Sequence, residues 1–241
     1  MRDWVIDAGN HRVKIAGFSN GRMTDLHLFP IEALAELYHF VNLIEGAKVI
    51  ISSVSIDEGA LKAKFREGVD VHILEASTAL PFSLPYKQAN TLGKDRVAAV
   101  AGAIRQFPGM DLLVLDAGSC MTIDFVRGDA QWLGGNISPG LAMRTRAMHE
   151  FTGRLPHVVA GRPAETLWGQ STEEALRNGA IHGMLSEISY YELLFSELKR
   201  ELKVIATGGD AMLLAELSKT KIFVAPNLVL TGLHEILQHI H

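Results

Sequence analysis

The chain has 241 residues, of which 48% are hydrophobic and 21% charged, and its formal net charge is −4. That apolar share excludes a disordered chain, and the near-balanced charge without a basic block excludes a nucleic-acid binder that works by electrostatics. Cys120 is the single cysteine, which rules out an intrachain disulfide and a cysteine-rich metal site. The length suits one large or two small domains. No apolar run approaches a membrane span and the first residues carry no apolar signal segment, so a soluble cytoplasmic protein without a membrane partner is expected.

Residues 4–6 form an apolar strand that ends at Asp7-Ala8-Gly9-Asn10. Glycine and asparagine tolerate positive φ, which predicts a tight turn there. Alternation resumes over 12–18, so the chain opens as a hairpin. Asn20-Gly21 marks another turn, with a third strand running through Leu28. Leu34, Leu37, Val41 and Ile44 recur at helical spacing and predict a helix over 31–44. A β-branched strand is predicted over 49–51, a helix over 57–65 and a strand over 69–74. Pro81 and Pro85 make 80–90 a loop. A helix from about 95 to 106 is broken by Pro108-Gly109. Strands over 112–115 and 121–126 flank Asp116-Ala117-Gly118-Ser119. The segment 134–140, rich in turn residues, reads as a loop that opens a helix to about 151. One long helix or two shorter ones are predicted over about 172–202. A strand over 204–206 ends in Thr207-Gly208-Gly209-Asp210, with Asp210 as N-cap of the next helix. A strand over 222–225 and a helix over 228–240 follow.

One pattern occurs twice. Val5-Ile6-Asp7-Ala8-Gly9 and Val114-Leu115-Asp116-Ala117-Gly118 are nearly the same words, 109 positions apart, and each leads into a second strand. Two similar α/β domains are therefore expected, 1–110 and 111–241, with the boundary near Pro108 to Asp111.

The candidate chemistry lies in three clusters. A glycine turn between strands lets backbone N–H groups approach a phosphate, and the aspartate before it is placed to hold a cation. Two such turns on facing domains would clamp a polyphosphate. Asn10, His11, Arg12, Lys14 and Ser119 add donors, and Arg12 and Lys14 share one strand face or form a solvated one. Gly208 and Gly209 stand where a strand hands over to a helix, which suits a flat adenine or ribose against the backbone. Thr91-Leu92-Gly93-Lys94-Asp95-Arg96 sits at a loop-to-helix junction, where backbone donors favour anions. There Asp95 is a candidate general base for a hydroxyl and Arg96 a bidentate carboxylate grip. The plainer reading gives Asp95 a capping role and Arg96 a surface ion pair. His234, Glu235 and His239 lack the spacing of a zinc motif and read as helix surface. Cys120 has no histidine context and reads as a small buried side chain. No nucleophile elbow and no Walker A sequence occur.

Taken in order, Asp7-Ala8-Gly9-Asn10, Tyr86, Gly93-Lys94-Asp95-Arg96, Asp116-Ala117-Gly118-Ser119, Thr122-Ile123-Asp124, the run 134–140, the run 169–172 and Thr207-Gly208-Gly209-Asp210 resemble the type III pantothenate kinases, within the acetate and sugar kinase/Hsp70/actin superfamily. The resemblance covers nearly the whole chain. It implies two similar actin-like, ribonuclease H-like domains with mixed sheets flanked by helices. It implies phosphorylation of pantothenate by ATP, the opening step of coenzyme A synthesis, with a divalent cation such as Mg²⁺ and K⁺ or NH₄⁺, in a homodimer with a shared active site. By the same resemblance Asp7, Ala8, Gly9, Asn10, His11, Arg12, Val13 and Lys14 form the first phosphate-binding hairpin, joined by Gly118, Ser119, Gly208 and Gly209. Asp95 is the catalytic base; Tyr86, Gly93, Lys94, Asp95, Arg96 and Thr172 contact pantothenate; Asp116 holds the monovalent cation and Asp7 is a candidate for the divalent one. His11 stands where the family usually has Thr or Ser, Ser119 where it has Thr, and Cys120 where it has a small apolar residue. These departures bear on nucleotide affinity and donor preference. A kinase of another small hydroxy acid and a non-catalytic nucleotide-binding regulator are the alternatives. The retained Asp7, Asp95 and Asp116 speak against the second.

Overall fold

The computed structural model describes residues 2–84, 91–197 and 201–241. The chain forms two compact units, Met1–Gln106 with Asn227–His241, and Phe107–Pro226.

The first unit is built on a five-stranded sheet. Its strands are β1 (Asp3–Ala8), β2 (Arg12–Ser19), β3 (Arg22–Pro30), β4 (Lys48–Ser53) and β5 (Asp70–Ile73), in the order β3-β2-β1-β4-β5. The first three strands form an antiparallel meander, and β4 and β5 add in parallel. Alternation sorts the side chains. Trp4, Ile6, Ala8, Val13, Ile15, Val49 and Ile51 face one way and join Leu37 and Val41 of α1 (Leu34–Asn42) and Leu61 of α2 (Glu58–Lys62) in a continuous core. Asp3, Val5 and Asp7 face the other way, towards the layer of α3 (Lys94–Gln106) and α7 (Leu228–His239). Those two helices cross at Gly102 and Gly232. A methyl on Gly232 would lie 1.7 Å from the Ala98 carbonyl oxygen, and one on Gly102 would lie 2.4 Å from that of Leu228. The backbones therefore touch, and either alanine would force them apart at roughly 1–3 kcal/mol.

Sequence placed 111–241 in one domain, whereas α7 packs on α3 and β1 and belongs with the first sheet. Its apolar residues Leu228, Leu230, Leu233, Ile236 and Leu237 are all buried there. His234, read as helix surface, is also buried. It stacks on Phe18 with ring centroids 4.1 Å apart, and its Nε2 lies 3.3 Å from Asp3 Oδ2. Burial holds its pKa below the usual histidine value.

The second unit repeats the first. Its strands are β6 (Asp111–Ala117), β7 (Cys120–Arg127), β8 (Gln131–Pro139), β9 (Leu202–Thr207) and β10 (Ile222–Val224), in the order β10-β9-β6-β7-β8. Again three strands are antiparallel and two are parallel. Leu113, Leu115, Ala117, Met121 and Ile123 pack with Leu141 of α4 (Leu141–Glu150), Ile181, Met184 and Ile188 of α5 (Thr172–Glu197) and Leu214 of α6 (Ala211–Leu217).

Three expectations change here. The segment 134–140, read as a loop, is mostly strand: β8 is an edge strand whose pairing with β7 overrides the poor propensity of Gly134, Gly135 and Asn136. The long helix covers Thr172–Glu197 among the described residues, and Leu202, expected at its end, begins β9. Cys120 is only partly buried.

Candidate active site

In the first unit the opening hairpin holds its turn with a Gly9 N–H donating to the Arg12 carbonyl at 3.0 Å. Neither Gly9 nor Asn10 adopts positive φ. A methyl on Gly9 would meet only the Arg12 carbonyl oxygen, at 3.5 Å, an ordinary contact. The turn itself therefore does not demand glycine; the missing side chain leaves room above the backbone for a ligand. Ala8 and Val13 point into the core and can offer only main-chain groups, while Asn10, His11 and Arg12 are exposed. Register places Lys14 directly across from Asp7.

The loop after β4 supports this turn. Ser55 Oγ donates to the Gly9 carbonyl at 2.8 Å and contacts that of Ala8 at 3.3 Å, and the Val54 N–H donates to the Ala8 carbonyl at 3.0 Å. The same segment anchors the start of α3: Glu58 accepts from the Ser53 N–H at 2.9 Å and forms an ion pair with Lys94 at 2.6 Å. Lys94, expected at the substrate, thus has Glu58 as its partner. Ser55 and Glu58 were not singled out from sequence; the polar run Ser52-Ser53-Val54-Ser55 after a buried strand is the signal that marks such a loop.

Asp95 lies in the first turn of α3, half-buried, and its Oδ1 accepts from the Arg96 N–H at 2.8 Å. Arg96 is buried, with 4% of its surface exposed, so the surface-pair reading of that residue is set aside. Asp7 and Asp95 feel each other's charge. Burial is the main reason that the Asp7 pKa is raised to about 6; Lys14 lowers it and Asp95 raises it. Asp7 on β1 and Asp95 in the first turn of α3 are electrostatically coupled carboxylates with one lysine, Lys14, across from Asp7; a divalent cation would balance that charge, so these residues fit such an ion. Tyr86 lies outside the described residues.

In the second unit the matching turn is closed by a Gly118 N–H donating to the Cys120 carbonyl at 3.0 Å. Here too a methyl would find only ordinary contacts, 3.5 Å from Asp116 Oδ1 and 3.8 Å from the Cys120 oxygen. Ser119 is exposed at the tip. The late glycines come to this turn. The Asp210 N–H donates to the Ala117 carbonyl at 3.0 Å, and Gly208 has φ +94°. A side chain on Gly208 would lie 2.5 Å from the Ala117 backbone and 2.6 Å from Asp116 Oδ1, so glycine is required there. Asp210 makes no side-chain cap to α6; its backbone does the joining. Gly140, not singled out as a site residue, backs the turn from behind: its N–H donates to the Ser119 carbonyl at 3.2 Å, and a methyl would lie 2.2 Å from the Gly118 oxygen. Asp116, Gly118, Ser119, Gly208 and Gly209 therefore form one locality. Thr172 opens α5 and is exposed, beside a turn in which Glu174 accepts from the Gln170 N–H at 2.7 Å.

Two five-stranded mixed sheets of the same order, each opening on an aspartate–glycine hairpin, define a pair of similar ribonuclease H-like domains, the architecture of the actin-like kinases. The inorganic polyphosphate/ATP-glucomannokinase of Arthrobacter sp. strain KM shares it, with TM-score 0.50 and 17% identity over 99% of this chain and 98% of that one. A Campylobacter jejuni protein described as a Baf family transcriptional activator superposes with TM-score 0.63 at 22% identity, covering 98% of both chains. At these identities the likeness concerns the fold alone. The family follows from sequence: the model for type III pantothenate kinase matches residues 4–192, and the Christiangramia forsetii type III pantothenate kinase is 38% identical over 97% of each chain. This chain belongs to the type III pantothenate kinase family. Among the described residues no helix is long and apolar enough to cross a membrane.

Proposed function

We propose that this chain transfers the γ-phosphoryl group of ATP to the terminal hydroxyl of pantothenate, forming 4'-phosphopantothenate and opening coenzyme A synthesis. The observation that carries the reading is Asp7 on β1 with Lys14 directly across from it and coupled in charge to Asp95 at the start of α3, in a chain of this family. Phosphoryl transfer asks a protein mainly for positioning and charge neutralisation, with a carboxylate to take the acceptor's proton. Asp95 is assigned that proton and Arg96 the pantothenate carboxylate. The open main chain at Gly9 and Gly118, with Lys14 and Ser119, is assigned the phosphates. Asp7 is assigned the divalent cation, which when bound offsets phosphate charge. Asp116 is assigned K⁺ or NH₄⁺.

The working form is a homodimer in which Thr172 serves the partner's pantothenate. The supporting features are on the second unit. Leu176, Ala180, Met184 and Ile188 of α5 are spent on its own core, whereas Ala175 and Gly179 are exposed on another face. Leu167, Trp168, Leu193 and Leu194 are exposed as well, surface that a second copy can cover.

A coupled assay with ATP, Mg²⁺, K⁺ and pantothenate tests the reading. Turnover of pantothenate, well above that of glycerate or a neutral sugar, is the expected result. Nucleotide binding without turnover of any acceptor would remove it and favour a regulator.

A further inference from the structure

The first unit carries a second cluster of ligand atoms that the kinase reading does not use. Asp70 and His72 alternate along β5, so both project from the same face of this edge strand. His241 comes to them from just beyond α7. The two imidazoles meet through Nε2 atoms 3.0 Å apart, their rings edge to face with centroids 4.7 Å apart. Asp70 closes the triangle, Oδ1 at 3.1 Å from His72 Nε2 and Oδ2 at 3.6 Å from His241 Nε2.

Lone pairs outnumber protons in this arrangement. With neutral imidazoles, one Nε2–H donates to the other ring's Nε2 lone pair, and no proton is left at this point for the carboxylate. The carboxylate brings only acceptors to the same point. Two protonated rings would instead set like charges against each other across 3.0 Å. A metal ion replaces the missing protons with a single centre that accepts all three donors. The spacing suits it: bonds of 2.0–2.1 Å in a tetrahedral site put neighbouring ligand atoms about 3.3–3.4 Å apart. The two imidazole nitrogens stand 3.0 Å apart, and the Asp70 carboxylate lies 3.1 Å from one through Oδ1 and 3.6 Å from the other through Oδ2, so one ligand atom from each residue comes within 4.8 Å of the others. Two imidazole nitrogens and one carboxylate select zinc and its neighbours, because Mg²⁺ and Ca²⁺ prefer all-oxygen shells.

We propose that Asp70, His72 and His241 form a binding site for a divalent transition metal of the zinc type, with solvent completing the shell. Asp70 and His241 are exposed, so the ion has a path in. Its effect follows from the two elements joined. β5 is the sheet edge, and α7 covers β1 and packs against α3, the helix that starts with Lys94 and Asp95. A metal bridge pins the end of α7 to the sheet edge and braces that helix layer. The site is separate from the proposed catalytic cation at Asp7, and its test does not depend on turnover.

The full chain, stripped with a chelator, is titrated with ZnCl₂ by calorimetry, and its melting temperature is followed. One high-affinity zinc per chain is expected, with melting raised by about 5–10 °C at a hundredfold excess over Kd. His72→Ala and His241→Ala should each weaken that binding by at least about tenfold and remove the thermal shift. Co²⁺ should give visible d–d bands in the parent chain that vanish in both variants. His241→Ala changes a residue beyond the last helix, so it keeps the test open if His72→Ala unfolds. Unchanged stoichiometry and affinity in both variants would place the zinc elsewhere and overturn the proposal. So would the absence of zinc binding in the parent chain, which would leave a hydrogen-bonded cluster only.

Discussion

The opening hairpins of the two units differ by one residue, and that residue changes what faces each aspartate. Four residues separate the paired Ala8 and Val13, whereas three separate Ala117 and Met121. The strand after the turn is therefore shifted by one position relative to its aspartate. Lys14 lands across from Asp7, and Thr122 lands across from Asp116. Directly paired side chains share a face and interact, so the first aspartate has an ammonium group as its cross-strand neighbour and the second has a hydroxyl. The rest of the scaffold matches closely. Both second strands carry a bulge, at Gly17/Phe18 and at Phe125/Val126, and both third strands are nine residues long and end in proline. A common frame has thus been given two electrostatic environments. The first adds a second carboxylate, Asp95; the second adds the close backbone of Gly208.

The largest effect should come from breaking the unit that holds the two carboxylates. Asp95→Asn is expected to lower kcat by about 10²–10⁴ while ATP still binds, since a positioned general base contributes that much. A version with two chains sharpens the contrast, because Thr172 lies in the other unit. Mixed under conditions of proven subunit exchange, Asp95→Asn and Thr172→Val chains should regain activity well above either parent, towards about half the parent value per heterodimer if the sites act independently. In each mixed dimer one site carries both defects and the other carries neither. An activity equal to the average of the two parents would show that Asp95 and Thr172 serve the same chain's site.

How much of this was legible in the residues depended on whether local signals agreed with pairing. The doubled strand–Asp–Ala–Gly word announced the repeat, and β1, β2, β6 and β7 followed from alternation. The same repeat, carried further, contains the strand that composition hid. A step of 109 from Arg22–Pro30 lands on Gln131–Pro139, yet Gly134, Gly135 and Asn136 read locally as loop. Pairing with β7 overrides that preference. The one-residue shift of the hairpins was equally invisible, because a fixed step of 109 aligns Lys14 with Ile123 and not with Thr122. Helix α7 could be read as a helix but not assigned to its sheet, since its docking depends on the Gly102–Gly232 crossing, two residues 130 positions apart. The residues that hold the turns, Ser55 and Gly140, act on backbone carbonyls: the serine run marks a loop but not which hydroxyl reaches the turn, and a missing side chain gives no sequence pattern of its own.

A smaller effect should separate the electrostatics of Asp7 from its chemistry. Its pKa is raised from 3.8 to about 6, chiefly by burial, so folding favours the protonated form. Below pH 4 both folded and unfolded chains are protonated at this group and it costs nothing. As pH rises through 4 to 6 the unfolded chain gains charge more readily, and stability falls; above pH 6 the full penalty is present. Asp7→Asn should therefore stabilise the cation-free, nucleotide-free protein at pH 8, on the order of 1–3 kcal/mol, and make little difference at pH 4. Denaturation midpoints of both chains across that range give the comparison. A variant less stable than the parent at pH 8 would contradict it. Lys14→Met should act in the opposite direction, since its charge relieves the same carboxylate.

The smallest effect tests the hairpin difference itself, by giving the second unit the first unit's residue. Asp116 is proposed to hold K⁺ or NH₄⁺, and its cross-strand neighbour is Thr122. In Thr122→Lys an ammonium group would stand across from Asp116 as Lys14 stands across from Asp7. It would supply permanently the charge that a dissolved cation supplies only when bound. Thr122 is half-buried, so a lysine there keeps its head near the carboxylate and does not lie free in solvent. The expected result is a loss of cation selectivity: rates in Na⁺ and K⁺ at fixed ionic strength should converge, with the K⁺-supported rate reduced by about tenfold, or about 1.4 kcal/mol, because a tethered ammonium cannot match the placement of a free ion. Thr122→Met controls for bulk. It fills the same space without charge, so it should lower the rate while leaving the remaining activity dependent on K⁺. Convergence in the lysine variant alone identifies charge at this position as the cause. A lysine variant that still needs K⁺ would mean that Asp116 and its neighbour across the sheet are not where the monovalent ion acts, and the two hairpins would then differ in sequence without differing in role.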